Sequence, residues 1–306
     1  MAATRDDVIL LDGGMGQELV RRSGRAPTPL WSTQMMLEAP ELVIDLHRDF
    51  AEAGADVLTL NNYAMTRPRL AHAGLESRFL DLQQAAIDAA SAARSSAAVG
   101  GRPIRLAGCL PPLVSSYRPD LALPAEDLRA QYRELVAVQG PQVDVMLCET
   151  MPTIAEAVIA TEAGVESGLE TWCALTVEDA DGLKLRSGEA LEDAMIAVRH
   201  AGAAALLINC SSPEAVGQAL SALSTAALPT GGYANGFVHT HCLAPGATVA
   251  AFEAREDMGV EHYADHVMGW IAAGATIVGG CCEIGPAHIA EIAGRLSLAP
   301  GLRAIG

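Results

Sequence analysis

The sequence predicts a single-domain (β/α)8 barrel, an α/β fold in which eight strand–helix units close into a ring. Short runs of apolar and β-branched residues alternate eight times with longer alanine-rich runs, the pattern of parallel strands joined by helices. The 306 residues exceed the ~250 that are typical of this fold, which leaves room for loops. Half of the residues are hydrophobic, enough for a large core. We therefore assign residues 1–306 to one barrel domain.

Each predicted strand is a short apolar run, and each is followed by a segment with helical periodicity. The predicted strands are Val8–Asp12, Asp56–Asn61, Ile104–Cys109, Val143–Glu149, Thr171–Val177, Ala204–Cys210, Leu228–Tyr233 and Ala275–Gly280. The predicted helices are Pro40–Ala53, Arg69–Ser95, Ala125–Gln139, Ile154–Glu166, Glu189–His200, Pro213–Leu223, Gly259–Ala273 and Pro286–Leu296. Signals at helix ends support these bounds, because Ser212-Pro213-Glu214 combines an N-cap, a proline and an acid, and Gly54 and Gly274 follow helical runs.

An open, doubly wound sheet is the alternative architecture, because it shares the alternation of strands and helices. Its Gly-x-Gly-x-x-Gly signature is missing after the first strand, where Asp12-Gly13-Gly14-Met15-Gly16-Gln17 has a different spacing. We therefore favour the barrel. In a barrel, functional residues collect at the carboxyl ends of the strands, and the predicted strand ends are richer in polar residues than the strand interiors.

Composition and charge restrict the partners of the chain. Its net charge of −17 disfavours nucleic acids and anionic membrane surfaces, whereas a cationic small molecule is compatible with it. No apolar run approaches the ~20 residues of a membrane span, and Met1–Asp12 lacks the apolar region of a signal peptide. Seven scattered cysteines argue against a disulfide framework and for a reducing cytoplasm. We expect small-molecule substrates as partners, and the sequence is compatible with a homo-oligomer.

Two adjacent cysteines, Cys281 and Cys282, follow an apolar run that ends in Gly279 and Gly280. Neighbouring side chains of a strand point to opposite faces, so both sulfurs reach one point only if the backbone bends, which the two glycines permit. A third cysteine, Cys210, ends another apolar run. Zinc is the natural ion for three thiolates, and a catalytic zinc site keeps one position open for substrate. We predict that the three cysteines bind Zn2+ and, through it, activate a substrate thiol.

Other cysteines and histidines offer competing interpretations. Cys109 ends the third strand and is a further candidate ligand, whereas Cys148 and Cys173 fit the buried core. A second candidate cluster lies in the loop after the seventh strand and consists of His239, His241 and Cys242. No second pair of ligands at zinc-ribbon spacing accompanies this cluster. We interpret it as a polar loop whose role the sequence leaves open.

Two acidic positions and a pair of glycines suggest a site for an amino acid. Asp12-Gly13-Gly14 ends the first strand, and Glu149 ends the fourth. Consecutive glycines can turn backbone N–H groups toward a carboxylate, while Asp12 and Glu149 can bind an ammonium group. Together these residues would bind both charged ends of an amino acid. The alternatives are an ordinary strand–helix turn for the glycines and a surface acid for Glu149.

These motifs resemble those of the homocysteine S-methyltransferase family, which includes betaine- and S-methylmethionine-dependent enzymes and the homocysteine module of cobalamin-dependent methionine synthase. The resemblance runs from Leu10 to about Ile292. It is carried by Leu11-Asp12-Gly13-Gly14-Met15-Gly16, Gly54-Ala55-Asp56-Val57-Leu58-Thr59 with Asn61 and Tyr63, Glu149-Thr150-Met151-Pro152, Asn209-Cys210, and Gly279-Gly280-Cys281-Cys282. The last two elements together are highly specific.

The resemblance implies a (β/α)8 barrel in which zinc activates the thiol of homocysteine for methylation to methionine. The implied zinc ligands are Cys210, Cys281 and Cys282. The implied homocysteine-binding residues are Asp12, Gly13, Gly14, Glu149 and Asn235. Asn235 enters this set because Tyr233-Ala234-Asn235-Gly236 resembles the Tyr-Pro-Asn turn of the family, with alanine in place of proline.

The chain departs from the family pattern at several positions, and these departures bear on the identity of the methyl donor. Leu60 and Asn62 stand where threonines are common, and Glu283-Ile284-Gly285 replaces the usual residues after the cysteine pair. We favour a cationic sulfonium donor, S-methylmethionine or S-adenosylmethionine, with betaine as the alternative. Functions of another class are a metal-dependent barrel hydrolase and a non-catalytic zinc protein that senses thiols.

Overall fold

The computed structural model describes residues 5–24, 32–96, 103–240 and 252–298, in which eight parallel strands form a barrel. The strands are β1 (Ile9–Leu10), β2 (Val57–Thr59), β3 (Arg105–Leu110), β4 (Val145–Met151), β5 (Thr171–Leu175), β6 (Ala205–Asn209), β7 (Thr230–Tyr233) and β8 (Ile277–Val278). From β2 to β8 each strand pairs with the next, and β8 pairs with β1. Leu11 bridges to Val57, and the Asp56 N–H donates to the Leu10 carbonyl at 2.7 Å, which joins β1 to β2. The barrel prediction is therefore confirmed over the open sheet.

Helices connect the strands and cover the outside of the barrel. They are α1 (Met15–Ser23), α2 (Ser32–Glu38), α3 (Pro40–Glu52), α4 (Arg67–His72), α5 (Phe79–Ser96), α6 (Ala125–Gln139), α7 (Ile154–Glu166), α8 (Leu191–His200), α9 (Pro213–Leu223), α10 (Val260–Ala272) and α11 (Pro286–Leu298). Seven of the eight predicted helices are found within a few residues of their expected bounds. The eighth, predicted as Arg69–Ser95, is divided into α4, a 3-10 turn over Glu76–Arg78 and α5. Gly74 has φ +70° between them, a conformation in which a helix ends.

Two helices near the N-terminus, α1 and α2, were not predicted. Glycines at positions 13, 14 and 16 surround the start of α1, and glycine is a poor helix former. The structure nevertheless begins α1 directly after Gly14, the N-cap residue. This placement matters because the first turn of α1 then faces the carboxyl end of β1, where we expected function to collect.

The core has two layers, as strand alternation requires. One cluster fills the barrel interior and includes Leu147, Leu207 and the fully buried Trp172. A larger cluster lies between the strands and the helices, and it contains Cys148 and Cys173. The interpretation of these two cysteines as core residues is confirmed. In the described parts of the chain, no helix is long and apolar enough to cross a membrane.

Candidate active site

A cleft of about 800 Å3, which includes its opening to solvent, lies at the carboxyl ends of the strands. Side chains from the ends of β1, β2, β4, β6 and β7, from the first turn of α1 and from the loop after β8 line it. Asp12 and Glu149 are its charged lining residues, and the described lining includes no lysine, arginine or histidine. The cleft is therefore an acidic pocket that favours positively charged groups.

The three predicted ligand cysteines meet at this cleft. The Sγ atoms of Cys210, Cys281 and Cys282 lie within 4.8 Å of one another, and among the described residues they form the only such group of potential metal ligands. The Sγ atoms of Cys281 and Cys282 are 4.0 Å apart, and those of Cys210 and Cys281 are in bonding contact, as in a disulfide. A metal would therefore bind after this pair is reduced to two thiols.

The turn after β7 fixes the two cysteine segments relative to each other. The Cys281 N–H donates to the Ala234 carbonyl at 2.9 Å, and the Gly236 N–H donates to the Cys282 carbonyl at 2.9 Å. From the same turn, the Tyr233 carbonyl accepts the Cys210 N–H at 3.3 Å. The cysteines come together because one backbone turn hydrogen-bonds to both strand ends that carry them.

Burial disfavours the thiolate form of Cys282. Cys210 and Cys282 are 4% and 6% exposed. Burial raises the pKa of the Cys282 thiol to about 12, and the adjacent Glu283 adds to the rise. Without a bound cation this thiol therefore stays protonated at neutral pH, whereas coordination to a metal deprotonates a thiol.

Glycines at this site allow close packing around the cysteine pair. Gly279 and Gly280 are not among the residues with positive φ, whereas Cys210 (φ +48°) and Glu283 (φ +68°) are. A Cβ atom on Gly280 would lie 2.3 Å from the Ile284 side chain, and one on Gly14 would lie 2.5 Å from the Cys281 carbonyl oxygen. The glycines thus leave space for the loop after β8, which is a reason for them beside the predicted bend, and β8 ends at Val278, directly before them.

Asp12 is a buried carboxylate at the end of β1. It is 4% exposed, and it accepts hydrogen bonds from the Thr59 N–H at 2.7 Å and the Thr59 hydroxyl at 3.1 Å. Burial raises the pKa of Asp12 from its ordinary 3.8 to about 8, and the nearby Glu149 adds to the rise, while the bonds from Thr59 oppose it. A bound ammonium group would offset this penalty, which suits Asp12 to hold the amino end of a substrate.

Glu149 faces the same cleft from the end of β4. Its Oε1 accepts the Cys109 thiol at 2.9 Å, and its Oε2 accepts the Tyr233 hydroxyl at 3.3 Å. Burial raises the pKa of Glu149, while these two hydrogen bonds lower it. Cys109, a further candidate ligand on sequence grounds, thus contacts Glu149 and is not part of the three-sulfur group.

The amides available to a substrate carboxylate differ from those expected. Gly13 and Gly14 both line the cleft, but the Gly14 N–H donates to the Ile284 carbonyl at 2.8 Å and is therefore occupied. Met15 and Gly16, the first residues of α1, also line the cleft. The N–H groups of a first helical turn have no partner within the helix and carry partial positive charge. The first turn of α1 therefore offers N–H groups beside the cleft, and the binding of a carboxylate by Gly13 and Gly14 stays a prediction.

Asn235 and His239 do not belong to the described lining of the cleft. Asn235 is 1% exposed, does not contribute to the described lining of the cleft, and accepts the Phe237 N–H through Oδ1 at 3.1 Å. Its role in binding homocysteine therefore stays a prediction. His239 is exposed and is also absent from that lining, and His241 and Cys242 lie outside the described residues.

Sequence reasoning missed the polar contact that joins two of the strand ends. Asn209, fully buried at the end of β6, is hydrogen-bonded to Thr150, the residue after Glu149. Thr150 has φ +61° and Tyr117, another lining residue, has φ +59°, so four of the five described non-glycine residues with positive φ lie at or beside the cleft. Such strained conformations cluster at functional sites. The adjacent residues Asn209 and Cys210 are visible in the sequence, but they do not indicate that Thr150 is the hydrogen-bond partner of Asn209.

The fold and the site define a class: a TIM-barrel enzyme with a centre of three cysteines and two buried acids at the catalytic mouth. The chain belongs to the homocysteine S-methyltransferase family, whose model matches residues 9–296. A homocysteine S-methyltransferase from Escherichia coli is 29% identical, over 95% of this chain and 96% of that protein. A selenocysteine methyltransferase from Astragalus bisulcatus is 28% identical, over 92% of this chain and 90% of that protein.

A solved structure supports the same assignment. The metallated form of the homocysteine methyltransferase MmuM from Escherichia coli superposes with a TM-score of 0.79 at 28% identity, over 95% of this chain and 97% of that one. The barrel architecture and the family resemblance predicted from the sequence are thereby confirmed.

Proposed function

We propose that this chain transfers a methyl group from a cationic sulfonium donor to the thiol of homocysteine, giving methionine, and that it uses a zinc ion held by Cys210, Cys281 and Cys282. The observation that carries the proposal is the convergence of three sulfurs within 4.8 Å beside two buried carboxylates in one cleft. The sulfurs suit a thiol-activating metal, and the carboxylates suit the ammonium group of an amino acid.

The three cysteines fit zinc in number, and the Cys281–Cys282 pair also fits it in spacing. Zinc binds cysteine sulfur at about 2.3 Å, so two sulfurs of a tetrahedral site lie roughly 3.8 Å apart. The 4.0 Å between the Sγ atoms of Cys281 and Cys282 is close to this value. When bound, zinc would supply an open position at which a substrate thiol becomes a thiolate at neutral pH. The thiol reacts as an anion, so the reaction needs no separate general base.

The residues of the chain would orient homocysteine by its two charged ends. Asp12 and Glu149 would bind the ammonium group, and ionisation of Asp12 would accompany binding because its pKa of about 8 lies above neutral pH. The N–H groups at the start of α1 would bind the carboxylate. With both ends held, the thiol is directed to the cysteine centre, and the gain from such alignment can reach about 7–11 kcal/mol.

The charge of the cleft favours a cationic donor. Asp12 and Glu149 face it, and no basic residue contributes to its described lining. An anionic methyl donor would find no counter-charge there, whereas a sulfonium is attracted. In the transfer, the bond from the donor sulfur to its methyl carbon breaks, and the homocysteine thiolate forms a new bond to that carbon. Both sulfurs leave as neutral thioethers. Betaine, a quaternary ammonium, is the alternative within the family.

The test combines a donor panel with metal analysis. Purified protein, prepared under reducing conditions and loaded with zinc, is incubated with homocysteine and S-methylmethionine, S-adenosylmethionine or betaine, and methionine is measured. We expect about one zinc per chain and the fastest turnover with a sulfonium. Cys281→Ala should lose both zinc and activity, while the core variant Cys148→Ala, as the matched control, should keep both. Zinc retained in Cys281→Ala would overturn the site, and no methionine from any donor would favour the hydrolytic or thiol-sensing alternative.

A further inference from the structure

Asn61 places an unused amide in the wall of the cleft. The residue is 4% exposed and lines the cleft two positions after Thr59, the partner of Asp12. Its Nδ2 atom is buried and has no hydrogen-bond partner among the residues that the structure describes. Leaving a buried N–H unsatisfied is costly, so such a group at a binding site indicates an acceptor that arrives with a ligand.

The side-chain N–H of the neighbouring Asn62 is hydrogen-bonded, so the unsatisfied N–H is particular to Asn61. Asn62 is 1% exposed, and its Nδ2 donates to Gln83 Oε1 in α5 at 2.7 Å. Gln83 in turn donates to the Met65 carbonyl at 2.8 Å. The backbone bends at Asn61, where the Asn62 N–H donates to the Leu60 carbonyl at 2.8 Å, so the two side chains leave in different directions. Asn62 therefore serves the packing of α5 against the barrel, and Asn61 points to the cleft.

The groups that the cleft offers to homocysteine are already assigned under the proposed function. Asp12 and Glu149 take the ammonium group, α1 takes the carboxylate, and the cysteines take the thiol. Gln17, another amide in the cleft wall, is likewise buried without a hydrogen-bond partner among the described residues, and it lies in the first turn of α1, the end proposed to bind the homocysteine carboxylate. Asn61 follows β2 and is not part of α1, so we assign its unpaired N–H to the second substrate. Because the described wall holds no basic side chain, a carboxylate on that substrate would have to be bound by neutral N–H donors of this kind.

We propose that Asn61 is a specificity-determining residue that donates a hydrogen bond to the carboxylate of the methyl donor. The inference rests on the proposed function and adds the residue that recognises the carboxylate shared by the sulfonium and quaternary ammonium donors considered there. The cation is attracted by the acidic cleft, and the carboxylate end is oriented by Asn61, so that the methyl group is aimed at the homocysteine sulfur.

The experiment compares Asn61→Leu, which has nearly the same size, with wild type on two donors, S-methylmethionine and trimethylsulfonium, the second of which lacks a carboxylate. We expect the KM for S-methylmethionine to rise about 10- to 100-fold in Asn61→Leu, the value of one hydrogen bond to a charged group. The KM for homocysteine and the rate with trimethylsulfonium should stay within twofold. Asn61→Ala should behave alike. The Tm of Asn61→Leu should not fall, because the substitution removes an unsatisfied donor.

Asn62→Leu is the matched control, and it should lower the Tm while both KM values stay unchanged. An equal loss with both donors, or a raised KM for homocysteine, would overturn the role of Asn61. If wild type transfers no methyl group from any donor, the proposed function fails separately. Calorimetric titration of S-methylmethionine into the zinc-loaded enzyme and into Asn61→Leu then still tests the amide, and equal affinities would refute it.

Discussion

Asn209 and Thr150 exchange two hydrogen bonds across the barrel mouth. The Thr150 N–H donates to Asn209 Oδ1 at 2.9 Å, and Asn209 Nδ2 donates to the Thr150 hydroxyl at 2.9 Å. Each residue adjoins a group of the site, since Glu149 precedes Thr150 and Cys210 follows Asn209. One buried amide therefore links the acid proposed to bind the ammonium group to a proposed metal ligand, and it holds Thr150 at φ +61°.

Replacement of Asn209 by alanine should damage stability and binding together. The substitution leaves the buried Thr150 N–H without an acceptor, and we expect a loss of about 2–4 kcal/mol in the free energy of unfolding, measured with urea. The KM for homocysteine should rise, because Glu149 loses its fixed position. Thr150→Ala, which keeps the backbone bond and loses the hydroxyl bond, should show a smaller loss of about 1 kcal/mol. Equal stability of Asn209→Ala and wild type would refute this linkage.

Asp12 should make the ligand-free protein less stable as pH rises. Its pKa is raised to about 8 in the folded protein and is about 3.9 in the unfolded chain, so between these values the folded state binds the extra proton. The contribution of this proton to stability is full below pH 4 and is lost as pH rises through 8.

Asp12→Asn cannot ionise and should therefore gain stability relative to wild type as pH increases from 5 to 8. The slope is at most about 1.4 kcal/mol per pH unit. Urea unfolding of both proteins at four pH values, with a chelator present, measures it. A difference between the two proteins that does not change with pH would contradict the raised pKa.

Cys109 should affect substrate binding through Glu149. Cys109→Ala removes the thiol that donates to Glu149 Oε1 at 2.9 Å, and the pKa of Glu149 should rise further because this bond lowers it. A less ionised Glu149 binds an ammonium group more weakly. We expect the KM for homocysteine to increase about 3- to 10-fold, the value of one modest hydrogen bond.

The control for Cys109 is Cys173→Ala, which removes a buried thiol from the cluster between strands and helices. It should cost stability and leave the KM for homocysteine unchanged. If Cys109→Ala keeps the wild-type KM, the thiol serves packing alone.

Gly14 should be intolerant of a side chain because of the loop that carries the cysteine pair. A Cβ atom there would meet the Cys281 carbonyl oxygen at 2.5 Å, and backbone atoms cannot yield as a flexible side chain can. We expect Gly14→Ala to lose about 1–3 kcal/mol of stability and to bind less zinc. Gly269→Ala in α10 is the control, since nothing lies within 4 Å of the added carbon and alanine favours a helix. Full zinc content in Gly14→Ala would mean that the loop tolerates displacement.

The parts of the molecule with a strong periodic signal could be predicted, and the parts that depend on tertiary contact could not. Every strand overlaps its predicted run, and only β3 and β4 extend past the predicted end, by one and two residues, because buried parallel strands are nearly continuous apolar segments. The three cysteines were predicted to meet because each follows such a segment. Helix α1 was missed because its glycines lower helix propensity, yet they are needed where the chain passes close to the Cys281–Ile284 loop.

The hydrogen-bond partners of individual side chains could not be predicted from the sequence. Nothing in the order of residues indicates that Asn209 reaches Thr150 or that Cys109 reaches Glu149, since these contacts depend on how neighbouring strands are staggered. The same holds for Asn61 and Asn62, identical residues side by side, whose different surroundings appear only when the strand end is placed against α5.

The absence of basic side chains from the described wall of the cleft affects how fast the donor binds and how fast its product leaves. Under the proposed reaction, the sulfonium donor binds with a positive charge on its sulfur, and the thioether that remains after methyl transfer lacks this charge. Long-range attraction then speeds arrival of the fresh donor and does nothing to retain the demethylated product. The capture rate should therefore decline as ionic strength is raised, while escape of the neutral thioether remains indifferent to salt.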